Sequence, residues 1–492
     1  MARRAFIALW LVLLLLKAVL AAHLPLFVDE AFYWQEGRHL GWAYSDLPGL
    51  TAWLSRLGGL LAPGSLLALR LPFLLLAALV PWLVVGMGTR ALGARVGWQA
   101  GSLCLLLPLA GSLGVMALPD VPLLLASVLC LDAGLRLLRA VDGMAASGLA
   151  LGLVLGGLSH YRFAAVIAVG LGVLVSLPEG RRVLRTPRVW WAIGVGALAW
   201  LPLLLWNLHN ADAGLRFQLL DRHPWTFSWV GLELGLIQLL PATPVLLWVM
   251  WRATRPAWHA ARPELRYLAR NGALIVLGFL LLGFFADQQR VSFHWPLPGF
   301  VALLPLTAGL LLEVSTGLRR ATWATLALGL GLTLGFFVIT SVPAWRTQMA
   351  LAGAQTGGFA GWDTLAEAVT QQRQRMPAET RVVAGDFKIG AELGFAIGDA
   401  GLPVLAHPNN DRHGRTAQLA LWQLLQTSRA GLGPAPLLVV ASPSHAGFDD
   451  DHAYLRRLRA QLGPLPPPQV VQADGGTKQY WLFALPGVVT AD

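Results

Sequence analysis

Eleven apolar stretches of roughly bilayer-spanning length occupy the first 345 residues: 5–22, 64–87, 98–117, 121–138, 145–160, 162–178, 189–207, 228–251, 271–286, 296–312 and 321–343. Such a chain has few options. In hydrocarbon every backbone polar group must find its partner within the protein, so only helices and closed barrels span. Stretches of this length and apolar content predict helices. Composition agrees: 13% of the residues are charged and 56% hydrophobic, against about a quarter charged in an ordinary soluble protein. A soluble enzyme and a disordered chain are both excluded. The first stretch follows Met-Ala-Arg-Arg and looks like a signal peptide. However, Ala21-Ala22-His23 is a poor cleavage site, and the stretch reads as an uncleaved first span.

The net charge is +11. In a soluble protein that would suggest nucleic acid, but here no basic run is interleaved with aromatics, and none is expected as a partner. Alternating the spans from an inner N-terminus gives seventeen arginines to the inner loops and seven to the outer side of the membrane part. That bias fits the positive-inside rule. It makes the 23–63 loop, the 208–227 loop and everything after about 344 extracytoplasmic. Cys104 and Cys130 lie in apolar segments and imply neither a disulfide nor a thiolate metal site.

Residues 346–492 form a separate region. Short β-like runs, Arg381–Ala384, Pro403–Ala406, Pro436–Ala441 and Gln479–Leu485, alternate with helix-like segments near 389–398, 415–427 and 451–462. The alternation predicts a small α/β domain. The expected architecture is an α-helical multi-pass membrane domain over 1–345 with this extracytoplasmic α/β domain over 346–492.

Ionisable groups at membrane depth are costly and mark function. The outer side holds the informative ones. The first outer loop reads Asp29-Glu30-Ala-Phe-Tyr33-Trp34 and then Tyr44-Ser-Asp46-Leu47-Pro48-Gly49-Leu50. Its aromatic and apolar residues suggest a helix lying on the bilayer surface. Asp29 and Glu30 also suit the first turn of such a helix as caps.

These two motifs resemble the first outer loop of family 39 glycosyltransferases, which include the protein O-mannosyltransferases and are close to the bacterial aminoarabinose transferases. The resemblance implies the multi-span GT-C fold, a polyprenyl-phosphate sugar donor and an extracytoplasmic acceptor. It implies Asp29 as catalytic base, with Glu30 structural or acceptor-orienting. Asp120, in Pro119-Asp120-Val-Pro122, resembles the family's second acidic position; a helix cap is the plainer reading. In some relatives an acid at the Asp46 position binds a divalent metal with a later histidine, here His223, so a metal ion is the one cofactor implied. Two ligands do not make a site, and a hydrogen-bonded pair, or two unrelated residues, is the plainer reading of Asp46 and His223. Leu47 stands where relatives carry a basic or imidazole group, and Pro48-Gly49 replaces a Pro-Pro pair.

Transfer needs a base for the acceptor proton and positive charge for the departing phosphate. Lysine is nearly absent, so arginine is the natural phosphate partner. The outer candidates are Arg162, Arg216, Arg222 and Arg290, against the plainer role of headgroup anchors. The expected function is an inverting membrane glycosyltransferase in the bacterial inner membrane, acting on a glycolipid, lipid A, polysaccharide or protein. The alternatives are a transporter or flippase of a lipid-linked substrate, or a scaffold whose tail binds a cell-wall component. Neither the sugar nor the acceptor can be read from these residues.

Overall fold

The structure, a computed structural model, describes residues 2–286, 292–354, 358, 359, 361–445 and 451–488. The chain divides into two compact units. One comprises Met1–Ala21, Leu47–Thr51 and Arg70–Phe336; the other comprises Ala22–Asp46, Ala52–Leu69 and Phe337–Asp492. The first outer loop is therefore shared, most of it falling with the C-terminal residues. Four helices open the chain: α1 (Ala2–His23), α2 (Val28–Arg38), α3 (Leu50–Leu61) and α4 (Leu66–Leu92).

Among the described residues six helices are long and apolar enough to cross a membrane: α1, α4, Asp120–Arg139, Pro187–His209, Pro263–Leu282 and Thr316–Ser341. The number reaches eight if each of two bent pairs, Phe163–Ser176 with Pro178–Leu184 and Gly231–Ala242 with Pro244–Ala257, is one span. Gly143–Gly157 and Leu297–Glu313 are shorter apolar helices. The chain is thus a multi-pass membrane protein. The predicted stretch 98–117 is broken into Ala94–Leu106 and Pro108–Ser112, with Leu107 extended between them. The cause is local: a residue before proline avoids the helical region.

The membrane unit packs its helices around Val84, Leu103, Val128, Phe300 and Leu304, all fully buried. Arginines that the charge bias assigns to inner loops make ion pairs there. Asp132 is held by Arg90 and Arg136, and Arg139 reaches Glu264 at 2.9 Å.

The other unit contains a six-stranded sheet: β1 (Arg381–Ala384), β2 (Val404–Leu405), β3 (Leu425–Gln426), β4 (Leu437–Ala441), β5 (Gln469–Ala473) and β6 (Lys478–Leu485). The strand order is β3-β2-β1-β4-β6-β5. The first four are parallel, and β6 runs antiparallel to both β4 and β5. β4 reads Leu-Leu-Val-Val-Ala and is buried throughout, as a central parallel strand requires. The predicted α/β character and the β1, β4 and β6 segments are found. The helix-like segment 415–427 is shorter, Thr416–Leu421, and gives way to β3. Helix Phe387–Ile397 starts on Asp386, whose carboxylate accepts from the N–H groups of Lys388 and Ile389. It ends on Gly398 at φ +74°, a left-handed position that glycine takes without strain.

One expectation is corrected. α2 does not lie on a bilayer surface. Residues 30–37 are all buried, and α2 packs on helix Phe387–Ile397. Phe32 meets Phe387 edge-on at 5.8 Å, Trp34 meets Phe395 at 5.4 Å, and Gln35 donates to the Ala400 carbonyl. Aromatic content, read as membrane-seeking, is instead a protein core. The apolar exposed face belongs to α3, where Leu57, Leu60 and Leu61 face outward.

Candidate functional site

Two clusters of polar groups stand out, one in each unit, and each is described within its own unit.

In the membrane unit the cluster is built from breaks in helices. Asp120 opens Asp120–Arg139, and Arg162 immediately precedes Phe163–Ser176. Arg162 donates to the Asp120 carboxylate at 3.0 Å, and the His294 ring reaches the same oxygen at 3.6 Å. Asp120 therefore serves an ion pair; no side-chain cap forms at this helix start. Two N–H groups of Arg162, the backbone one and Nε, point at the two ring nitrogens of His160. A neutral imidazole offers one acceptor nitrogen, so either bond requires an uncharged ring. The Arg162 guanidinium lies over the Trp295 indole at 5.5 Å, and that of Arg222 over the same indole at 5.6 Å. Trp295 is fixed by Phe279, Phe163 and Leu123. His223 is buried, edge-on to Trp225 and Trp295. Arg222 and His223 follow a π-helical turn, Phe217–Asp221; such turns recur at functional sites. Asn207 holds the preceding loop, accepting from the Leu215 N–H at 2.7 Å and donating to the Tyr161 hydroxyl at 3.2 Å.

Among the described residues this cluster has two guanidiniums against one carboxylate, backed by an apolar wall. The arrangement suits an anion with several oxygens, such as a phosphate. Arg216 is not part of it: exposed, it pairs with Asp221 at 3.4 Å. Arg290 lies outside the described residues.

In the other unit the balance is reversed. Arg415, next to helix Thr416–Leu421, is buried and faces three carboxylates. It pairs closely with Asp46, lies 3.5 Å from Asp29 and 3.9 Å from Glu36. Its guanidinium rests on the Phe32 ring, 4.0 Å from the centroid. Burial opposes its charge, but the acidic groups of Asp46, Tyr33, Asp29 and Glu36 prevail and raise its pKa above the ordinary arginine value. Burial first, and Asp46 second, push the Glu36 carboxyl well above its usual range. No donor among the described residues hydrogen-bonds to either Glu36 oxygen. Glu30 accepts from the Phe27 N–H at 3.0 Å and is fully buried, which makes it a helix cap. Of the acidic residues in α2, Asp29 alone keeps an accessible carboxylate, 37% exposed.

Among the described residues no three His, Cys, Asp or Glu side chains gather in a way that could hold a metal ion. Within its unit Asp46 already has a cation beside it, the Arg415 guanidinium. Leu47, buried, offers none.

Asp29 and Asp46, and likewise Asp120, Arg162 and Arg222, were visible as candidates in the sequence. His160, His294 and Trp295 were visible only as interruptions of apolar stretches. Arg415 and Glu36 were not visible, because nothing near Arg415 in the chain marks it.

Residues 46–206 match the family described as dolichyl-phosphate-mannose-protein mannosyltransferases. The match takes in Asp46, Asp120 and Arg162 but leaves out Asp29 and Glu30. A lipid A galacturonosyltransferase, RgtD, of Rhizobium johnstonii is 27% identical over 307 residues, which are 60% of this chain and 62% of that protein. The chain therefore spans less than two thirds of this relative's length. The ArnT structure from Cupriavidus metallidurans bound to undecaprenyl phosphate superposes with a TM-score of 0.69 at 16% identity, covering 98% of this chain and 97% of that one. The apo structure of the same protein gives the same TM-score and covers 98% of each chain. The fold is thus the GT-C fold of ArnT, and the likeness to family 39 glycosyltransferases is shown.

Proposed function

We propose that this GT-C protein, with its family 39 likeness, transfers a sugar from a polyprenyl-phosphate donor to an acceptor on the outer face of the bacterial inner membrane. In this reading the N-terminus is cytoplasmic and the C-terminal domain periplasmic. Arg162 and Arg222 hold the donor phosphate and stabilise the charge that develops as it leaves. Asp120 keeps Arg162 in place and the neutral His160 orients it. Asp29 takes the proton from the acceptor hydroxyl. A single displacement then inverts the anomeric carbon. The bond between the anomeric carbon and the phosphate oxygen breaks as the acceptor oxygen bonds to that carbon, and polyprenyl phosphate is the second product.

The observation that carries the base assignment is exposure: the other acids of α2 are buried, and only Asp29 can meet an acceptor. Two guanidiniums over one indole support the phosphate role. The galacturonosyltransferase relative supports lipid A as the acceptor class and a galacturonosyl donor as the first to try.

The test is release of undecaprenyl phosphate in proteoliposomes holding undecaprenyl-phosphate sugars and lipid A. Wild type is expected to release it, and Asp29→Asn is expected not to. A chelator arm tests metal dependence: turnover lost with chelator and restored by a divalent ion would support a metal cofactor. Movement of intact donor across the bilayer without release would replace this reading with a flippase.

A further inference from the structure

We infer that Arg415, from the C-terminal region, is a positioning residue for the catalytic carboxylate. This inference rests on the reading of Asp29 as base and adds a residue that the first outer loop cannot supply itself.

The geometry has three parts. First, Arg415 is immobilised. Its side chain is 4% exposed. The faces of Phe32, Tyr33 and Phe387 surround its guanidinium. Its backbone N–H donates to the Asn410 carbonyl at 2.7 Å, and its carbonyl accepts from the Leu419 N–H at 3.0 Å. Phe387 is fixed in turn, since its own N–H donates to the Asn410 side chain at 2.9 Å. A guanidinium caged in this way is a fixed reference point, unlike an arginine on a surface.

Second, the fork spans two carboxylates with different exposure. One amino group, Nη1, binds the buried Asp46, and the other, Nη2, faces the accessible Asp29. Arginine alone presents donors in a rigid plane that can do this; lysine offers one point charge. Asp46 thus anchors the guanidinium from behind while Asp29 is aimed from the front.

Third, the segment around Asp46 is tied to the same region by uncharged bonds. The Ser45 N–H donates to the Gln418 side chain at 2.9 Å, and the Ser45 hydroxyl donates to the Gly414 carbonyl at 2.7 Å. Gln418 and Gly414 flank Arg415, so the loop and the arginine keep register even without the ion pairs. Removal of the guanidinium should therefore misplace Asp29 while these bonds hold the loop, at some cost in thermal stability from the stranded Asp46. A base displaced by about 1 Å loses rate on the order of 100-fold, while donor binding, assigned to other arginines, is untouched.

The experiment compares wild type, Asp29→Asn, Arg415→Met and Arg415→Lys as full chains in proteoliposomes. It measures kcat and donor KM for undecaprenyl phosphate release. Arg415→Met is expected to lose roughly 10- to 100-fold in kcat with donor KM within about twofold. Arg415→Lys should recover part of that loss, because it returns the charge without the fork. An Arg415→Met kcat near wild type, with Asp29→Asn inactive, overturns the positioning role and leaves the base reading standing. An active Asp29→Asn overturns the base reading and this inference with it. If Arg415→Met fails to fold, Arg415→Lys decides: a kcat deficit at unchanged KM supports the inference, and wild-type kcat overturns it.

Discussion

The two clusters of this protein have opposite charge economies. In the membrane unit Arg162 and Arg222 outnumber Asp120, with neutral His160 beside them. In the other unit Asp29, Glu36 and Asp46 outnumber Arg415. A cation-rich pocket with an aromatic wall is stabilised by an incoming anion. An acid-rich cluster favours a bound proton, and burial first, with Asp46 second, pushes the Glu36 carboxyl well above its usual range. In the proposed transfer the first cluster would receive the phosphate and the second would take the acceptor proton.

The comparison breaks most directly at Asp29. Asp29→Asn should lower kcat by about 10²- to 10⁴-fold, the usual range for a general base, with the thermal midpoint preserved. Asp120→Asn, by contrast, should cost no more than roughly tenfold, since Asp120 positions an arginine; equal losses would erase the distinction drawn between the two acids.

Neutralising the cation-rich side comes next. Arg222→Met should raise donor KM and lower kcat/KM by about 100-fold, as for a lost transition-state donor. Arg162→Met does the same but also strands Asp120. The double variant Asp120→Asn/Arg162→Met should therefore recover thermal stability without recovering turnover. Recovery of both would reduce Arg162 to a structural partner.

Glu36 sharpens the acid-rich side. Its folded-state pKa lies above the unfolded value of about 4.5, so the protonated form favours folding. That contribution is complete below the unfolded value and is lost as pH rises toward the folded one. Glu36→Gln is neutral throughout. Its thermal midpoint should gain on wild type as pH rises from 5 to 8, by roughly a few degrees. A pH-independent difference, read by melting the detergent-solubilised protein, would contradict a protonated Glu36.

The smallest effect is expected at Arg216. It is 68% exposed and pairs with Asp221, 51% exposed, a pairing worth less than about 1 kcal/mol. Arg216→Gln should leave turnover within about twofold; a large loss would return it to the phosphate site.

Much of this was legible in one dimension. Apolar length marks a span because a bilayer has a fixed thickness, and alternating runs mark the small α/β domain. Acids that interrupt an apolar background, such as Asp29 and Asp120, mark themselves by their cost. The edge strand β5 was missed because Gln469 and Val470 are exposed and carry no core pattern. α2 was misplaced because an aromatic helix looks alike against lipid and against protein.

Apolar stretch length and charge bias, which can be read along the chain, decided the helices and the multi-pass character. The pairing of Arg415 with an acid 386 residues away, and of Arg162 and Arg222 on one indole, was decided only by tertiary packing. Coulomb attraction and desolvation depend on distance in space, and no local pattern in the chain records that.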